Sequence, residues 1–340
     1  MRKFKLAVVG ATGAVGREMI NMLEKREFPI QSIRFFASHK SVGKKLIYRG
    51  KEIQVELLNK NSGKEIDIAL FSAGSNVSKE FAPYFILNGC YVIDNSNAWR
   101  MDTDVPLVVP EVNSHVLKRD KKLIANPNCS TIQMVIVLKP IHDYAKVKRV
   151  IVSTYQSVSG AGQKGIDELT KQIQEYGKGK HTLAVNTNTF KYQIAFNVIP
   201  QIDIFMDNNY TKEEMKMTNE TKKIMNSYDI EVSATCVRVP IIRAHSESVW
   251  IETEKTITPL VARNLLCKAN GICIMDDPNI YKYPMPILAE GQQITYVGRI
   301  RQDISLKKHN ALTLWIVSDN LLKGAALNAV QIAEELIKII

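Results

Sequence analysis

The chain has 340 residues, of which 45% are hydrophobic and 23% charged, and a formal net charge of +11. That length suits two ordinary domains, the balance is that of a globular protein, and no apolar run approaches the ~20 residues of a membrane-spanning helix. Basic residues are dispersed and broken by acids, as in Lys118-Arg119-Asp120-Lys121-Lys122, which suits a field that draws in small anions and argues against nucleic acid as a partner.

Residues 2–5 are basic, but the apolar run at 6–9 is too short for the core of a signal peptide, so a cytoplasmic location is expected. Residues 5–10 read as a buried strand and residues 17–25 as a helix with Met19, Ile20, Met22 and Leu23 on its apolar side. Between them lies Gly10-Ala11-Thr12-Gly13-Ala14-Val15-Gly16. Glycines between a strand and a helix allow a tight turn and a close backbone approach to a pyrophosphate, which the helix N–H groups then bind. A second strand, 33–37, runs into Ser38-His39-Lys40-Ser41. An NAD site usually carries an acid there for the ribose hydroxyls. Here hydroxyls and a cation suit a 2′-phosphate, so NADP is the expected cofactor.

Strands are expected at 67–72 and 91–94. The second ends in Asn95-Ser96-Asn97-Ala98-Trp99-Arg100, where Arg100 is a candidate anion anchor because such sheets bind ligands at the carboxyl ends of their strands. Residues 123–125 lead into Asn126-Pro127-Asn128-Cys129-Ser130-Thr131 and an apolar run, Ile132 to Leu138. Asn128 is a good N-cap, which places Cys129 in the first turn of a buried helix. Free N–H groups and the helix dipole favour a thiolate there, and a thiolate is a strong nucleophile. A buried structural cysteine is the competing reading. The five cysteines are odd in number and form no C-x-x-C pair, which argues against a disulfide framework and a structural zinc site, and no metal is expected.

Strands alternating with helices suggest a doubly wound parallel sheet in this first part. After about residue 150 the pattern changes. Strands are expected at 149–156, 230–239, 248–256, 294–301 and 311–317, and helices at 165–176, 212–228 and 259–269. Longer strands with fewer crossovers suggest an α+β domain with a mixed or antiparallel sheet. A final amphipathic helix at 323–340 is expected to pack back on the first domain.

Candidate groups are scattered through this second part. Gln156 can orient a substrate by hydrogen bonding, and the small residues of Ser157-Val158-Ser159-Gly160-Ala161-Gly162 let a flat ring approach the backbone. Glu220 and Lys223 share one helix face. Arg238, Arg243 and His245 lie between two expected strands, with His245 a candidate acid/base near neutral pH. Taken singly, His245 reads as a capping or surface histidine and Glu220–Lys223 as a surface ion pair.

Together these segments resemble the aspartate-β-semialdehyde dehydrogenases, most strongly their bacterial branch. The resemblance runs through Gly10 to Gly16, Val105 to Asn113, Asn126 to Thr131, Gln156 to Gly162, Phe196 to Gln201 and Arg238 to Glu247. It implies an α/β protein: an N-terminal Rossmann-like parallel-sheet domain, 1–128 completed by the helix at 322–340, and an α+β catalytic and dimerisation domain, 129–321, with a mixed sheet. It implies NADPH-dependent reductive dephosphorylation of L-aspartyl-4-phosphate to L-aspartate 4-semialdehyde, in the synthesis of lysine or diaminopimelate, threonine and methionine. In that reading Cys129 is the nucleophile, His245 the acid/base and Gln156 the group that orients the thioester. Arg238 pairs with the substrate carboxylate, Glu220 takes its ammonium, Arg100 and Lys223 hold phosphate, and Asn128 lines the substrate site. The cofactor residues are Gly10 to Gly16, Ser38, His39, Lys40, Ser41, Ser72, Ala73, Gly74, Ser159, Gly160 and Asn320. A homodimer or a dimer of dimers is implied.

The chain departs from the family pattern in three places. Lys40 stands where many relatives carry Arg, Ser75 where some carry Gly, and Trp99 where Phe is usual. Two other readings compete: another phosphorylating aldehyde dehydrogenase, such as an N-acetylglutamyl-phosphate reductase, and a non-catalytic paralogue of the same fold. An amino-acid site needs a Glu and an Arg, which Glu220 and Arg238 supply; a sugar-phosphate substrate, as of a glyceraldehyde-3-phosphate dehydrogenase, would not explain Glu220, and Cys129 speaks against the non-catalytic paralogue.

Overall fold

The computed structural model describes residues 2–179 and 189–340. The chain divides into two compact units, Met1–Asn128 with Ala325–Ile340, and Cys129–Gly324.

The first unit is built on a seven-stranded sheet. Its strands are β1 (Phe4–Val9), β2 (Ile30–Ala37), β3 (Lys45–Tyr48), β4 (Lys51–Leu57), β5 (Ile68–Phe71), β6 (Tyr91–Asp94) and β7 (Leu123–Ala125), in the order β3-β4-β2-β1-β5-β6-β7. All pairings are parallel except the β3–β4 hairpin. Leu6, Ala7, Val8 and Val9 of the central β1 are all 0% exposed. A continuous apolar run is what a parallel strand covered on both faces requires. The helices of this unit are α1 (Ala14–Lys25), α2 (Ser75–Leu87), the short α3 (Pro110–Asn113) and, from the chain's end, α9 (Leu327–Leu336). The last packs on α1, and Arg26 pairs with Glu334 at 2.6 Å across that contact.

The second unit holds α4 (Cys129–Ala145), α5 (Gln163–Gly177), α6 (Lys212–Met225), α7 (Pro259–Cys267) and the short α8 (Pro286–Ala289). Its strands are β8 (Val147–Gln156), β9 (Glu231–Arg238), β10 (His245–Thr253), β11 (Ile272–Ile274), β12 (Thr295–Gln302) and β13 (Ala311–Ser318). They form a mixed sheet in the order β11-β12-β13-β10-β8-β9, with β8–β9 and β11–β12 parallel and the other pairs antiparallel. Strand alternation sends Val150, Val152, Thr154 and Gln156 of β8, and His245, Glu247, Val249 and Ile251 of β10, to one buried face. α4 packs against β8, β10 and β13, and α6 against β9 and α4.

The expected mixed sheet after the parallel one is present. Several elements differ from the sequence reading. The β3–β4 hairpin, absent from the sequence reading, turns on Arg49 and Gly50, both with positive φ, and Ile53, Val55 and Leu57 alternate with polar residues along β4. α2 contains Pro83, which interrupts its helical pattern. β10 begins at His245, three residues before the expected start, so His245 is a strand residue and not a loop residue. Its neighbours Ser246 and Glu247 are polar yet buried, a combination that apolar periodicity does not register. The terminal helix starts with a π-helical turn, Leu322–Ala326, before α9.

Candidate active site

In the first unit the glycine loop is a backbone construction. Gly10 has φ +80°, and a Cβ on it would lie 2.4 Å from the Ser72 carbonyl oxygen. A Cβ on Gly16 would lie 2.2 Å from the Gly10 oxygen. Neither position accepts a side chain, so β1, the β5 end and the first turn of α1 close into a cradle. Gly13 caps α1 without a side chain, leaving its N–H groups for an anion. Thr12 Oγ1 donates to Ser41 Oγ at 3.2 Å, tying the loop to the turn after β2. In that turn Ser38, His39 and Lys40 are exposed and no carboxylate occurs between Ser38 and Ser41. Ala11, Thr12, Ala14 and Val15 complete the loop, and Ser72, Ala73 and Gly74 follow β5 before the start of α2. Backbone amides at a helix start fit the phosphates of a dinucleotide.

Arg100 is buried, and its Nη2 donates to the Asn95 carbonyl at 2.8 Å. Asn128 is also buried and ends the turn that β7 feeds. Asn328 of α9 braces that turn, donating to Asn126 Oδ1 at 2.7 Å and to the Val108 carbonyl at 3.0 Å.

In the second unit Cys129 is the first residue of α4, partly buried. A Cβ on Gly324 would lie 2.8 Å from the Cys129 Cβ, so the π-helical turn approaches the thiol-bearing residue as closely as only glycine allows. Gln156 ends β8 and Arg238 ends β9, paired in parallel register, and His245 starts the antiparallel β10. All three therefore gather at one end of the sheet, on its buried face.

His245 is fully buried. Its Nδ1 accepts the Ser157 backbone N–H at 3.1 Å and lies 3.0 Å from Ser157 Oγ. That contact assigns the ring proton to Nε2, which has no protein partner. Burial, with Arg238 beside it, pushes the imidazole down to about 3, so it is neutral at pH 7. Arg238 donates through Nη1 to the Ser157 carbonyl at 2.6 Å, and Phe190 stacks against its guanidinium. Burial lowers its pKa, while Glu213 and the ionised form of Cys129 hold it up. A Cβ on Gly160 would lie 2.7 Å from Arg238 Nη1 and 3.3 Å from His245 Nε2, so glycine leaves both groups open.

Asn320 fastens this corner. Its Oδ1 accepts the Ala244 N–H at 3.0 Å and the hydroxyls of Ser157 and Ser159 at 3.2 and 3.1 Å. Ala244, next to His245, is held at φ +71°, a strained value for a residue with a side chain. Gln156 Nε2 donates to Thr154 Oγ1 and to Glu213 Oε1, each at 3.3 Å.

Glu213 and Ser157 were not singled out from the sequence. Glu213 sits in the acidic first turn of α6 beside a capping box, Thr211 with Glu214, so it reads as ordinary helix-start charge. Its seven-residue spacing from the buried Glu220 was the one signal that both lie on the inward side of α6. Lys223 is half-buried on the same helix.

Residues 5–120 match the semialdehyde dehydrogenase NAD binding domain and residues 138–323 the semialdehyde dehydrogenase dimerisation domain. The chain is 55% identical to an aspartate-semialdehyde dehydrogenase of Aquifex aeolicus over 98% of both chains. Among solved structures it is similar to aspartate semialdehyde dehydrogenase II of Vibrio cholerae complexed with ASA, with a TM-score of 0.95 and 46% identity over 99% of each chain. It is also similar to the Candida albicans enzyme with NADP, with a TM-score of 0.75 and 25% identity over 99% of each chain.

Proposed function

The chain belongs to the aspartate-semialdehyde dehydrogenase family, and on that premise we propose how its own residues divide the reduction of L-aspartyl-4-phosphate to L-aspartate 4-semialdehyde. The observation that carries the assignment is the buried corner where His245 and Arg238 lie side by side under Gly160, with Cys129 acting on Arg238.

Cys129 attacks the acyl carbon as its thiolate, the bond from that carbon to the phosphate oxygen breaks, inorganic phosphate leaves, and a thioester joins substrate to protein; after reduction the C–S bond breaks, which frees the aldehyde and returns the thiolate. The nicotinamide cofactor, when bound, supplies the hydride that reduces this thioester. His245 Nε2–H donates to the substrate oxygen as negative charge develops on it, a role that a neutral imidazole fixed by Ser157 fills without reorganising. Gln156 orients the acyl group, and Glu213 holds that amide in place. Arg238 presents its guanidinium to the α-carboxylate, and Glu220 takes the α-ammonium. Arg100 and Lys223 are the cations assigned to phosphate, and Asn128 is assigned to the substrate.

We assign the first unit to cofactor binding and the second to catalysis and dimerisation. The preference for NADP over NAD rests on Ser38, His39, Lys40 and Ser41, with Gly10 to Gly16, Ser72 to Gly74, Ser159, Gly160 and Asn320 completing the cofactor contacts. The outward face of the second sheet, with Ile151, Tyr155, Trp250 and Trp315, is the surface assigned to a homodimer. Among the described residues no helix is long and apolar enough to cross a membrane. All five cysteines are free, which suits a reducing cytoplasm.

The test is NADPH formation from L-aspartate 4-semialdehyde, phosphate and NADP, run beside NAD and beside Cys129→Ala. We expect phosphate-dependent turnover that vanishes in the variant and is faster with NADP. Turnover that survives Cys129→Ala removes the thioester route, and equal rates with NAD remove the 2′-phosphate assignment. Turnover of an N-acetylglutamate semialdehyde in preference would move the substrate to the amine-blocked class.

A further inference from the structure

Arg243 has no part in the division of roles above, yet it is fixed at the corner that holds His245. Its Nε donates to Asp319 Oδ2 at 2.7 Å, and the two side chains are 17% and 0% exposed. Asp319 lies just past the end of β13, whose last residue, Ser318, stands opposite His245 in the β10–β13 register. Its carboxylate is fully occupied by the protein. Oδ2 also accepts the Gly291 N–H at 2.7 Å, and Oδ1 accepts the N–H groups of Leu321 and Leu322 at 2.9 and 3.1 Å. A buried carboxylate is costly unless opposite charge and hydrogen bonds compensate it, and Asp319 has a guanidinium and backbone donors for that purpose.

Two connections meet at this carboxylate. On one side, Arg243 is gripped by its side chain, and Ala244 by its N–H, which donates to Oδ1 of the next residue, Asn320, at 3.0 Å. Between these grips Ala244 takes φ +71°, a conformation that a residue with a side chain keeps only when its surroundings impose it. His245 follows directly and begins its strand with the ring against Ser157. On the other side, Asp319 starts the π-helical turn. Its side chain takes the first N–H groups, and its backbone carbonyl accepts the Gly324 N–H at 3.0 Å. Gly324 is the residue that lies against Cys129. We propose that Arg243 and Asp319 form a positioning clamp that holds Ala244 in its strained conformation, aims the His245 imidazole and seats the glycine turn against Cys129. Both residues act through others and not on the substrate. The proposal rests on the roles given above to Cys129 and His245.

The experiment compares full-length wild type, Arg243→Met, Asp319→Asn and the double variant. Methionine keeps an unbranched apolar stem without the charge, and asparagine keeps the shape of the carboxylate. Three quantities are read: kcat and KM for L-aspartate 4-semialdehyde, the rate of Cys129 alkylation by iodoacetamide, resolved by peptide mass, and the isotope-labelled ring-nitrogen resonances of His245, assigned by their loss in His245→Gln. Misplacing reacting groups by a fraction of an ångström costs on the order of tenfold, so we expect each single variant to lose about tenfold in kcat with KM within about twofold of wild type. In wild type the ring nitrogens should report one tautomer, protonated at Nε2, and in the variants an average of both. Alkylation should speed up as the glycine turn leaves the thiol. The double variant should lose no more than the worse single variant, since each substitution removes the same clamp.

A folded Arg243→Met with wild-type kcat and an unchanged His245 tautomer overturns the proposal. So do losses that add in the double variant, or a loss that falls on KM with kcat intact. If Asp319→Asn does not fold, Arg243→Met decides through kcat and the ring-nitrogen resonances. The resonances and the alkylation rate need no substrate. A wild type inactive on aspartate semialdehyde would therefore sink the functional assignment, while the clamp still stands or falls on those two readouts.

Discussion

The glycine loop of the first unit and the buried polar corner of the second are built on opposite principles. The loop is defined by what is missing: Gly10 and Gly16 leave no room for a Cβ, and the groups offered to a ligand are backbone amides and exposed side chains. The corner is defined by what is buried: His245, Arg238, Gln156 and Glu213 are withdrawn from water, and burial lowers the pKa of His245 and Arg238 while Glu213 opposes both shifts. A backbone site tolerates changes at its rim and fails when its path is altered. A buried polar cluster fails through any member, because each removal leaves another group unpaired.

The largest effect should come from the backbone site. Gly16→Ala puts a methyl 2.2 Å from the Gly10 oxygen, where only backbone movement can make room. We expect a loss on the order of 3 kcal/mol in stability, read by denaturant unfolding, with NADP binding abolished. Unchanged binding would mean that the loop is not a close-fitting cradle.

Arg238→Lys should come next. Lysine keeps the charge but loses the planar fork and the Nη1 bond to the Ser157 carbonyl that backs His245. We expect kcat/KM to fall about 100-fold with NADP affinity largely intact, since the groups assigned to the cofactor phosphates lie in the glycine loop and the turn after β2 and Arg238 is not among them. A fall of less than about threefold would argue against carboxylate pairing.

The smallest effect is a pH slope. His245 titrates near 3 when folded, against an ordinary 6.5. Between those values the unfolded chain binds a proton that the folded chain refuses, so stability falls as pH drops through this window. Moving from pH 7 to pH 5 should cost about 2 kcal/mol from this group. Glu247 slopes the opposite way: burial raises its carboxyl in the folded state, and the stability this contributes below the unfolded value is lost as pH rises. The difference in unfolding free energy between wild type and His245→Gln isolates the histidine, since Glu247 is common to both. A difference that does not change between pH 5 and 7 would show that His245 is not held neutral by burial.

Much of this molecule was legible along the chain. The strand–glycine–helix opening, the turn ending in Cys129 and the change from short to long strands are written in consecutive residues, because their physics is local: φ freedom, capping and side-chain periodicity. The β3–β4 hairpin was legible in the alternation of Ile53, Val55 and Leu57 but was not read; the start of β10 was not legible, since the buried polar residues Ser246 and Glu247 occupy strand positions that pattern alone reads as loop. Glu213 had only its spacing from Glu220 as a signature, and Glu247 had none. Gln156 meets Glu213 across 57 positions and Ser157 meets His245 across 88, so only the folded chain makes them neighbours. The sequence by itself determined which chemical groups exist and which turns present them. The tertiary structure decided which ring nitrogen carries the proton and which acid is pushed by burial above its ordinary range, because desolvation depends on what surrounds a group and not on what precedes it.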